Sequence, residues 1–95
     1  MQYLVIAYDG TDSEAQDRRL SVREPHLENV KAMKETGTFI HGGAILDDRD
    51  QMIGSVLFVE FDSREALDEW LKTDPYVTGG VWIAIDVKPI RLVTL

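Results

Sequence analysis

The segment Gly54–Phe61, which reads GSVLFVEF, decides the fold because nearly every one of its positions is apolar. A short run rich in valine and phenylalanine that opens on a glycine is typical of a β-strand. In an antiparallel sheet with one face in water, apolar and polar residues alternate along each strand. Val56 and Phe58 alternate here with other apolar side chains, so the pattern predicts a strand whose two faces are both covered.

The residues on either side of this strand predict a hairpin and a helix. Before it, Thr38–Leu46 has the composition of a strand, and its paired glycines indicate a bulge or a close approach between backbones. The polar turn 47–51 joins the two strands. After it, Asp62 and Glu65 have the spacing of a helix-capping box. The helix that follows has one apolar face, formed by Ala66, Leu67, Trp70 and Leu71.

The first third of the chain predicts one more strand and one more helix. Tyr3–Tyr8 is short and rich in aliphatic and aromatic residues, which favours a strand. The polar stretch Thr11–Arg18 favours a loop or a short frayed helix. Ser21 and Glu24 again have capping-box spacing, so the first helix is predicted over Val22–Thr36.

The last third of the chain completes the pattern. Asp74 stands directly before Pro75, an arrangement that caps and restarts a helix, and Val81–Val87 is predicted as the last strand. The order is therefore β-α-β-β-α-β within 95 residues. This order predicts one α+β domain over residues 1–95, with a ferredoxin-like, four-stranded antiparallel sheet and two helices on one face of it.

The apolar residues on the second sheet face predict an oligomer. The first and last strands, like Gly54–Phe61, are apolar on both faces. A bare sheet face of this kind would exceed the roughly few hundred Å² of apolar patch that monomers usually expose. A second copy of the same sheet is the simplest cover. We therefore expect a homodimer with its sheets face to face, and a pocket where that packing is incomplete.

Composition excludes several classes of function. The chain has 17 acidic and 10 basic residues, a net charge of −7, and its basic residues are scattered, which argues against nucleic-acid binding. It has no cysteine, so disulfides, thiolate metal sites and cysteine nucleophiles are excluded. The first residues lack a basic leader, and no apolar run approaches the roughly 20 residues that span a bilayer. The sequence thus predicts a soluble cytoplasmic protein without a membrane partner.

No cluster of residues has the spacing of a metal site or a phosphate loop. Asp47, Asp48 and Asp50 lack the later glutamate of a calcium-binding loop, so a solvated turn explains them. The glycine pairs lack the lysine of a phosphate-binding loop. We therefore expect neither a metal nor an organic cofactor.

Two residues are candidates for acid–base chemistry. His26 lies near the predicted start of the first helix, and imidazole titrates near neutral pH, although a partly packed histidine at a helix edge explains the same position. Asp74 could orient a histidine, although a helix cap explains it as well. Ser21 is first of all a helix cap, with a nucleophile as the second interpretation.

The motif R-L-S-V-R-x-x-H-L at Arg19–Leu27 and the later D-P-Y motif at Asp74 resemble the YCII-related family over nearly the whole chain. The resemblance implies a ferredoxin-like fold of the dimeric α/β-barrel group, similar to muconolactone isomerase. It also implies a catalytic pair in a pocket, here His26 and Asp74, with Arg23 and Ser21 as substrate-binding residues of the same motif. One type within that family acts on chlorinated aromatic ring intermediates.

Two functions are consistent with these residues. The first is a small enzyme without a cofactor, in which the pair carries out lyase, isomerase or dehalogenase-like acid–base chemistry on a small, partly apolar, anionic substrate. The second is a non-catalytic protein that binds a small molecule in the same pocket. The chain departs from the family pattern at Ala44, where proline is common, and at Ile90, where phenylalanine is common. Both departures could reshape the rim of the pocket.

Overall fold

The computed structural model describes residues 1–95 and has the element order β-α-β-β-α-α-β. The elements are β1 (Gln2–Asp9), α1 (Ala15–Glu35), β2 (Phe39–Leu46), β3 (Met52–Glu60), α2 (Arg64–Leu71), α3 (Pro75–Thr78) and β4 (Trp82–Ile90). No helix is both long enough and apolar enough to cross a lipid bilayer.

The four strands form one antiparallel sheet in the order β2-β3-β1-β4. Strand β1 is central: Val5 lies opposite Leu57 on β3 and Val87 on β4. All helices pack on one face of this sheet. The predicted ferredoxin-like α+β fold is therefore confirmed, with α3 as a short additional helix between α2 and the last strand.

The core lies between the helices and the inner sheet face. Tyr3, Val5 and Ala7 occupy alternate positions of β1 and are at most 2% exposed. The helices contribute Leu67 from α2 and Tyr76 from α3, both of which are equally buried. The alternation of inward positions on β1 thus determines which sheet face the helices cover.

The outer sheet face has no cover within the chain. Leu4 and Ile6 on β1, with Val56 and Phe58 on β3, occupy the alternate positions of these strands and are partly buried. Tyr8, at the end of the same row, is 47% exposed. The edge strand β4 is more polar on this face, where a lysine and an aspartate form an ion pair. The central part of the open face is therefore apolar, as the sequence predicts.

Helix α1 begins at Ala15, well before its predicted start. The polar residues that suggested a loop are helical because their side chains bond to the rest of the fold. Gln16 Nε2 donates to the carbonyl of Met52 at 2.6 Å, and the Arg19 guanidinium pairs with Asp9 at 2.9 Å. Sequence composition cannot distinguish a polar side chain with a distant partner from a solvated one, so the predicted helix start at Val22 was wrong. Of the two alternatives for Thr11–Arg18, a loop or a short frayed helix, the structure has a helix from Ala15 onward.

Ser21 consequently lies inside α1 and does not cap it. Its Oγ donates to the carbonyl of Arg18 at 2.8 Å, and the helix continues through Pro25. Proline has no N–H, so one interior hydrogen bond of the helix is missing at this turn. Glu14 occupies the capping position without a side-chain capping bond.

The caps of the two later helices were predicted with mixed success. Ser63, and not Asp62, caps α2, because the Ser63 Oγ accepts a hydrogen bond from the Ala66 N–H at 3.1 Å. Asp74 caps α3 as predicted, since its carboxylate accepts from the Tyr76 N–H at 2.8 Å. The second cap places a carboxylate directly beside α1.

Candidate active site

His26 and Asp74, which are 48 residues apart in the chain, meet between α1 and α3. The His26 Nδ1 atom lies 2.8 Å from Oδ1 and 3.1 Å from Oδ2 of Asp74. A carboxylate can only accept hydrogen bonds, so Nδ1 carries the hydrogen and donates it. The neutral imidazole therefore has its lone pair on Nε2.

Asp74 is fully buried, and three hydrogen-bond donors contact its carboxylate. Besides His26, the Tyr76 N–H donates to Oδ1 at 2.8 Å, and Asn29 Nδ2 donates to Oδ2 at 3.1 Å. A buried carboxylate without partners would be very unfavourable, and these three hydrogen bonds offset that cost. They also prevent the carboxylate from rotating away from the imidazole.

Two aromatic rings fix the plane of the imidazole. The Tyr76 ring stacks on it with a centroid distance of 3.8 Å and an interplanar angle of 11°, and the Trp82 ring meets it edge-on at 5.6 Å. Burial raises the pKa of the Tyr76 phenol, and the positive charges of Arg19 and Arg23 oppose that rise. Tyr76 thus stays protonated in neutral solution and serves as a wall of the site.

The second imidazole nitrogen is unpaired, and its ring lines a cavity. Nε2 of His26 has no hydrogen-bond partner in the protein and is not sealed from solvent. His26 lines a cavity of about 200 Å³ between α1 and the strands β2 and β3. Because an apolar cavity of about 150 Å³ can hold benzene, this space suits one ring. Its apolar walls include Leu27, Val30, Phe39, Met52 and Leu57.

This cavity lies on the helix-covered side of the sheet, within one chain. The sequence predicts a pocket at the open face instead, where two sheets would pack incompletely. This cavity borders the edge strand β2, where Gly42 lies opposite the buried Leu57 and has no side chain to fill the space beneath α1. A Cβ atom at Gly42 would lie 2.6 Å from the carbonyl oxygen of Val56, so only glycine fits this close approach.

Arg23 supplies a positive charge at the cavity. It lines the cavity one helical turn before His26, is exposed, and forms no ion pair. The chain as a whole carries a net charge of −7. A free guanidinium in this setting favours an anionic group at the cavity over a cationic one.

A buried polar network forms the floor beside the histidine. Arg19 Nη1 donates to both carboxylate oxygens of Asp9 at 2.9 Å, and Arg19 Nη2 donates to Ser55 Oγ at 3.1 Å. Trp82 Nε1 donates to the same Ser55 oxygen at 3.2 Å. The Arg19 guanidinium also lies 4.9 Å from the centre of the Tyr76 ring. Elements α1, β1, β3 and β4 are thereby joined at one place.

The structure brings three of the four predicted site residues together. His26 and Arg23 line the cavity, and Asp74 contacts His26 but does not itself line the cavity. Ser21 is exposed on α1 and does not line it either. The catalytic roles of the pair and the binding role of Arg23 stay predictions. Nowhere in the chain do three histidine, aspartate or glutamate side chains converge in a way that could hold a metal ion.

Several residues of the site were missed in the sequence. Asn29 lies three residues after His26 on the same helix face, so helical spacing from the histidine could have found it. Arg19, Ser55 and Trp82 are polar groups at inward positions whose partners are distant in the chain. No local pattern distinguishes them from surface or core residues.

The fold and the site define a small ferredoxin-like α+β protein with a buried histidine–aspartate pair beside a ring-sized cavity. The chain belongs to the YCII-related domain family, whose model matches residues 1–91. Protein YciI of Escherichia coli O6:H1 is 35% identical over 98% of this chain and 99% of the relative.

Two solved structures have a similar fold. The 5-chloro-2-hydroxyhydroquinone dehydrochlorinase TftG of Burkholderia phenoliruptrix AC1100, in complex with 2,5-dihydroxybenzoquinone, is 26% identical with a TM-score of 0.82. The similarity covers 96% of this chain and 94% of that one. A dimeric ferredoxin-like protein from Jannaschia sp. CCS1 is 12% identical, with a TM-score of 0.53 over 96% and 98% of the two chains, and this likeness concerns the fold alone.

Proposed function

We propose that this protein is an acid–base enzyme that needs no cofactor and acts on a small anionic compound with a single ring. The observation that carries the proposal is that the two nitrogens of the His26 ring have different surroundings. Its Nδ1 donates to a buried carboxylate, while its Nε2 is unpaired at a cavity of about 200 Å³. A histidine that only packed against its neighbours would not need this arrangement.

His26 acts as the general base in this proposal. Nε2 accepts a proton from the bound substrate, and the imidazolium that forms is stabilised by the Asp74 carboxylate at 2.8 Å. The stacked rings and the three hydrogen bonds to Asp74 keep the imidazole in one orientation, which lowers the entropic cost of reaching the transition state. Arg23 binds the anionic group of the substrate.

Halogenated hydroxyaromatic compounds are the substrate class that we favour. The similarity to TftG, a 5-chloro-2-hydroxyhydroquinone dehydrochlorinase, supports this choice. Dehydrochlorination removes one proton and one chloride ion and needs no external electron acceptor. A base and a group that binds an oxyanion are therefore sufficient for it, and the cavity offers both in His26 and Arg23.

The working form in this proposal is a cytoplasmic homodimer. The apolar row on the open sheet face supports face-to-face packing of two sheets, because a partner copy would remove Ile6, Val56 and Phe58 from water. The cavity lies on the opposite side of the sheet, so each subunit would keep its own site.

The test is chloride release from 5-chloro-2-hydroxyhydroquinone by the purified protein. We expect His26→Asn to lower turnover by about 10²-fold or more, because general-base catalysis typically contributes this much. The matched control is His41→Asn, which changes the other histidine of the chain. His41 is exposed on β2 and does not line the cavity, so its replacement leaves turnover unchanged.

Equal turnover by the wild type and His26→Asn would refute this mechanism. A wild type that binds 2,5-dihydroxybenzoquinone but releases no chloride from any halogenated hydroxyaromatic compound would indicate a binding protein instead. Thermal unfolding followed by circular dichroism checks that both variants keep the fold.

A further inference from the structure

The hydroxyl oxygen of Ser55 accepts two hydrogen bonds from the protein. It is the partner of Arg19 Nη2 at 3.1 Å and of Trp82 Nε1 at 3.2 Å. Guanidinium and indole nitrogens carry hydrogens and no available lone pair, so each of them can only donate. A hydroxyl oxygen accepts two hydrogen bonds and donates one. Both acceptor positions of Ser55 Oγ are therefore occupied from within the protein.

The hydroxyl hydrogen of Ser55 has no acceptor in the protein. None of the hydrogen bonds in the chain has Ser55 Oγ as its donor, although the residue is only 4% exposed. Ser55 lines the same cavity as His26, and Trp82 contacts both residues. A molecule in this cavity could therefore supply the acceptor that the Ser55 hydrogen lacks.

We infer that Ser55 is a specificity-determining residue that donates its hydroxyl hydrogen to an acceptor oxygen of the ligand, such as a phenolate, carboxylate or carbonyl oxygen. This inference rests on the proposed function for its site and adds a second polar contact to it. Because the oxygen of Ser55 can accept nothing more, a ligand that presents only a donor here is rejected. The residue thus discriminates by hydrogen-bond direction, which a mobile surface serine cannot do.

Arg19 makes Ser55 a stronger donor. Its buried guanidinium donates to the oxygen of Ser55, and a hydroxyl that accepts from a cation becomes a better donor in turn. The carboxylate of Asp9 pairs with Arg19 from the far side, so the positive charge is locally balanced. Arg23 is the unpaired cation at the cavity, and Ser55 is the neutral hydrogen-bond donor there. A ligand oxygen with a full or partial negative charge satisfies both.

The wild-type protein tests this inference by NMR with 4-nitrophenolate as the probe and nitrobenzene as its analogue without the phenolate oxygen. The Trp82 indole N–H is the reporter, because it donates to Ser55 Oγ. We expect 4-nitrophenolate to shift this resonance and nitrobenzene to leave it nearly unchanged. The indole of Trp70, which packs on Phe61 away from the cavity, is the internal control. A bound phenolate that leaves the Trp82 resonance unmoved overturns the inference, as does the absence of phenolate binding up to its solubility limit.

Variants of Ser55 measure how much this residue contributes to the affinity for the phenolate. Ser55→Ala should weaken 4-nitrophenolate binding by about 10-fold to 100-fold and leave nitrobenzene binding unchanged, since a hydrogen bond to a charged group is lost. Ser13→Ala removes an exposed hydroxyl outside the cavity and is the matched control. Equal phenolate affinity of Ser55→Ala and wild type refutes the inference.

The two proposals can fail separately in these experiments. His26→Asn should retain the preference for phenolate over nitrobenzene, whether or not the wild type turns over any substrate. Chloride release that depends on His26 but not on Ser55 would leave the proposed function standing and refute the role of Ser55. If Ser55→Ala does not fold, the wild-type NMR titration decides alone.

Discussion

Asp74 combines two roles in one carboxylate. Oδ1 accepts the Tyr76 N–H that starts α3, and the same oxygen accepts from Nδ1 of His26. The cap determines where the carboxylate lies, because it is tied to the backbone of a helical turn. The residue therefore needs no additional support to face the histidine, apart from the hydrogen bond from Asn29.

Replacing Asp74 by asparagine separates these two roles. An amide oxygen can still cap α3, but an amide cannot stabilise an imidazolium and can select the wrong tautomer of His26. We expect turnover of 5-chloro-2-hydroxyhydroquinone to fall by roughly 10²-fold to 10⁴-fold, in line with such changes in serine proteases, while the unfolding temperature changes little. Asp86→Asn, which alters an exposed carboxylate on β4, is the control. Unchanged turnover in Asp74→Asn would show that Asp74 caps α3 and has no role in catalysis.

At the scale of elements, the two ends of α1 differ in how well the sequence predicts them. The C-terminal end follows from Gly37, whose backbone has a φ of 81° that favours glycine. The N-terminal end is set by contacts with distant residues. Arg18 Nε there donates to the carbonyl of Gly80 at 3.2 Å. The same guanidinium also pairs with the nearby Asp12 and lowers the pKa of that carboxyl to about 2. Local patterns thus predict helix ends set by the backbone and miss those set by tertiary contacts.

The buried pair of Arg19 and Asp9 fastens α1 to β1. Removing one partner leaves an uncompensated buried charge, so we expect Arg19→Met to lower the free energy of unfolding by about 3–5 kcal/mol. The control is Arg64→Met, which breaks an exposed pair with Asp68 of the same 2.9 Å length, and there the loss should stay below about 1 kcal/mol. Urea denaturation measures both values. Similar losses in the two variants would show that burial does not determine the strength of this pair.

At the scale of the whole molecule, strand patterns were the most reliable guide. The alternation in β1 and β3 predicts the sheet, its helix-covered face and its apolar open face, because each depends on inward and outward positions alone. The cavity depends instead on the absence of a side chain on the edge strand β2 and on the space between that strand and α1. Positions of that kind follow from three-dimensional packing, so the sequence did not predict the cavity beneath α1, and the pocket expected between two packed sheets stays a prediction.

The open face makes a prediction about assembly. We expect sedimentation of the wild type at twice the chain mass of 10.8 kDa. Phe58→Glu should shift the protein to monomers, because it places a charge within the apolar row. Leu20→Glu, at an exposed apolar position on α1, should leave the dimer intact. A wild type that sediments as a monomer at micromolar concentration would contradict the proposed dimer.

The network of Asp9, Arg19, Ser55 and Trp82 also has a consequence for folding. Its members come from β1, α1, β3 and β4. All of its hydrogen bonds can therefore form only after the first and the last strand have both joined the sheet. Contacts this far apart in sequence form late and cooperatively. A ligand held by Ser55 would therefore bind the native state only and would stabilise it increasingly as the ligand concentration rises above its Kd.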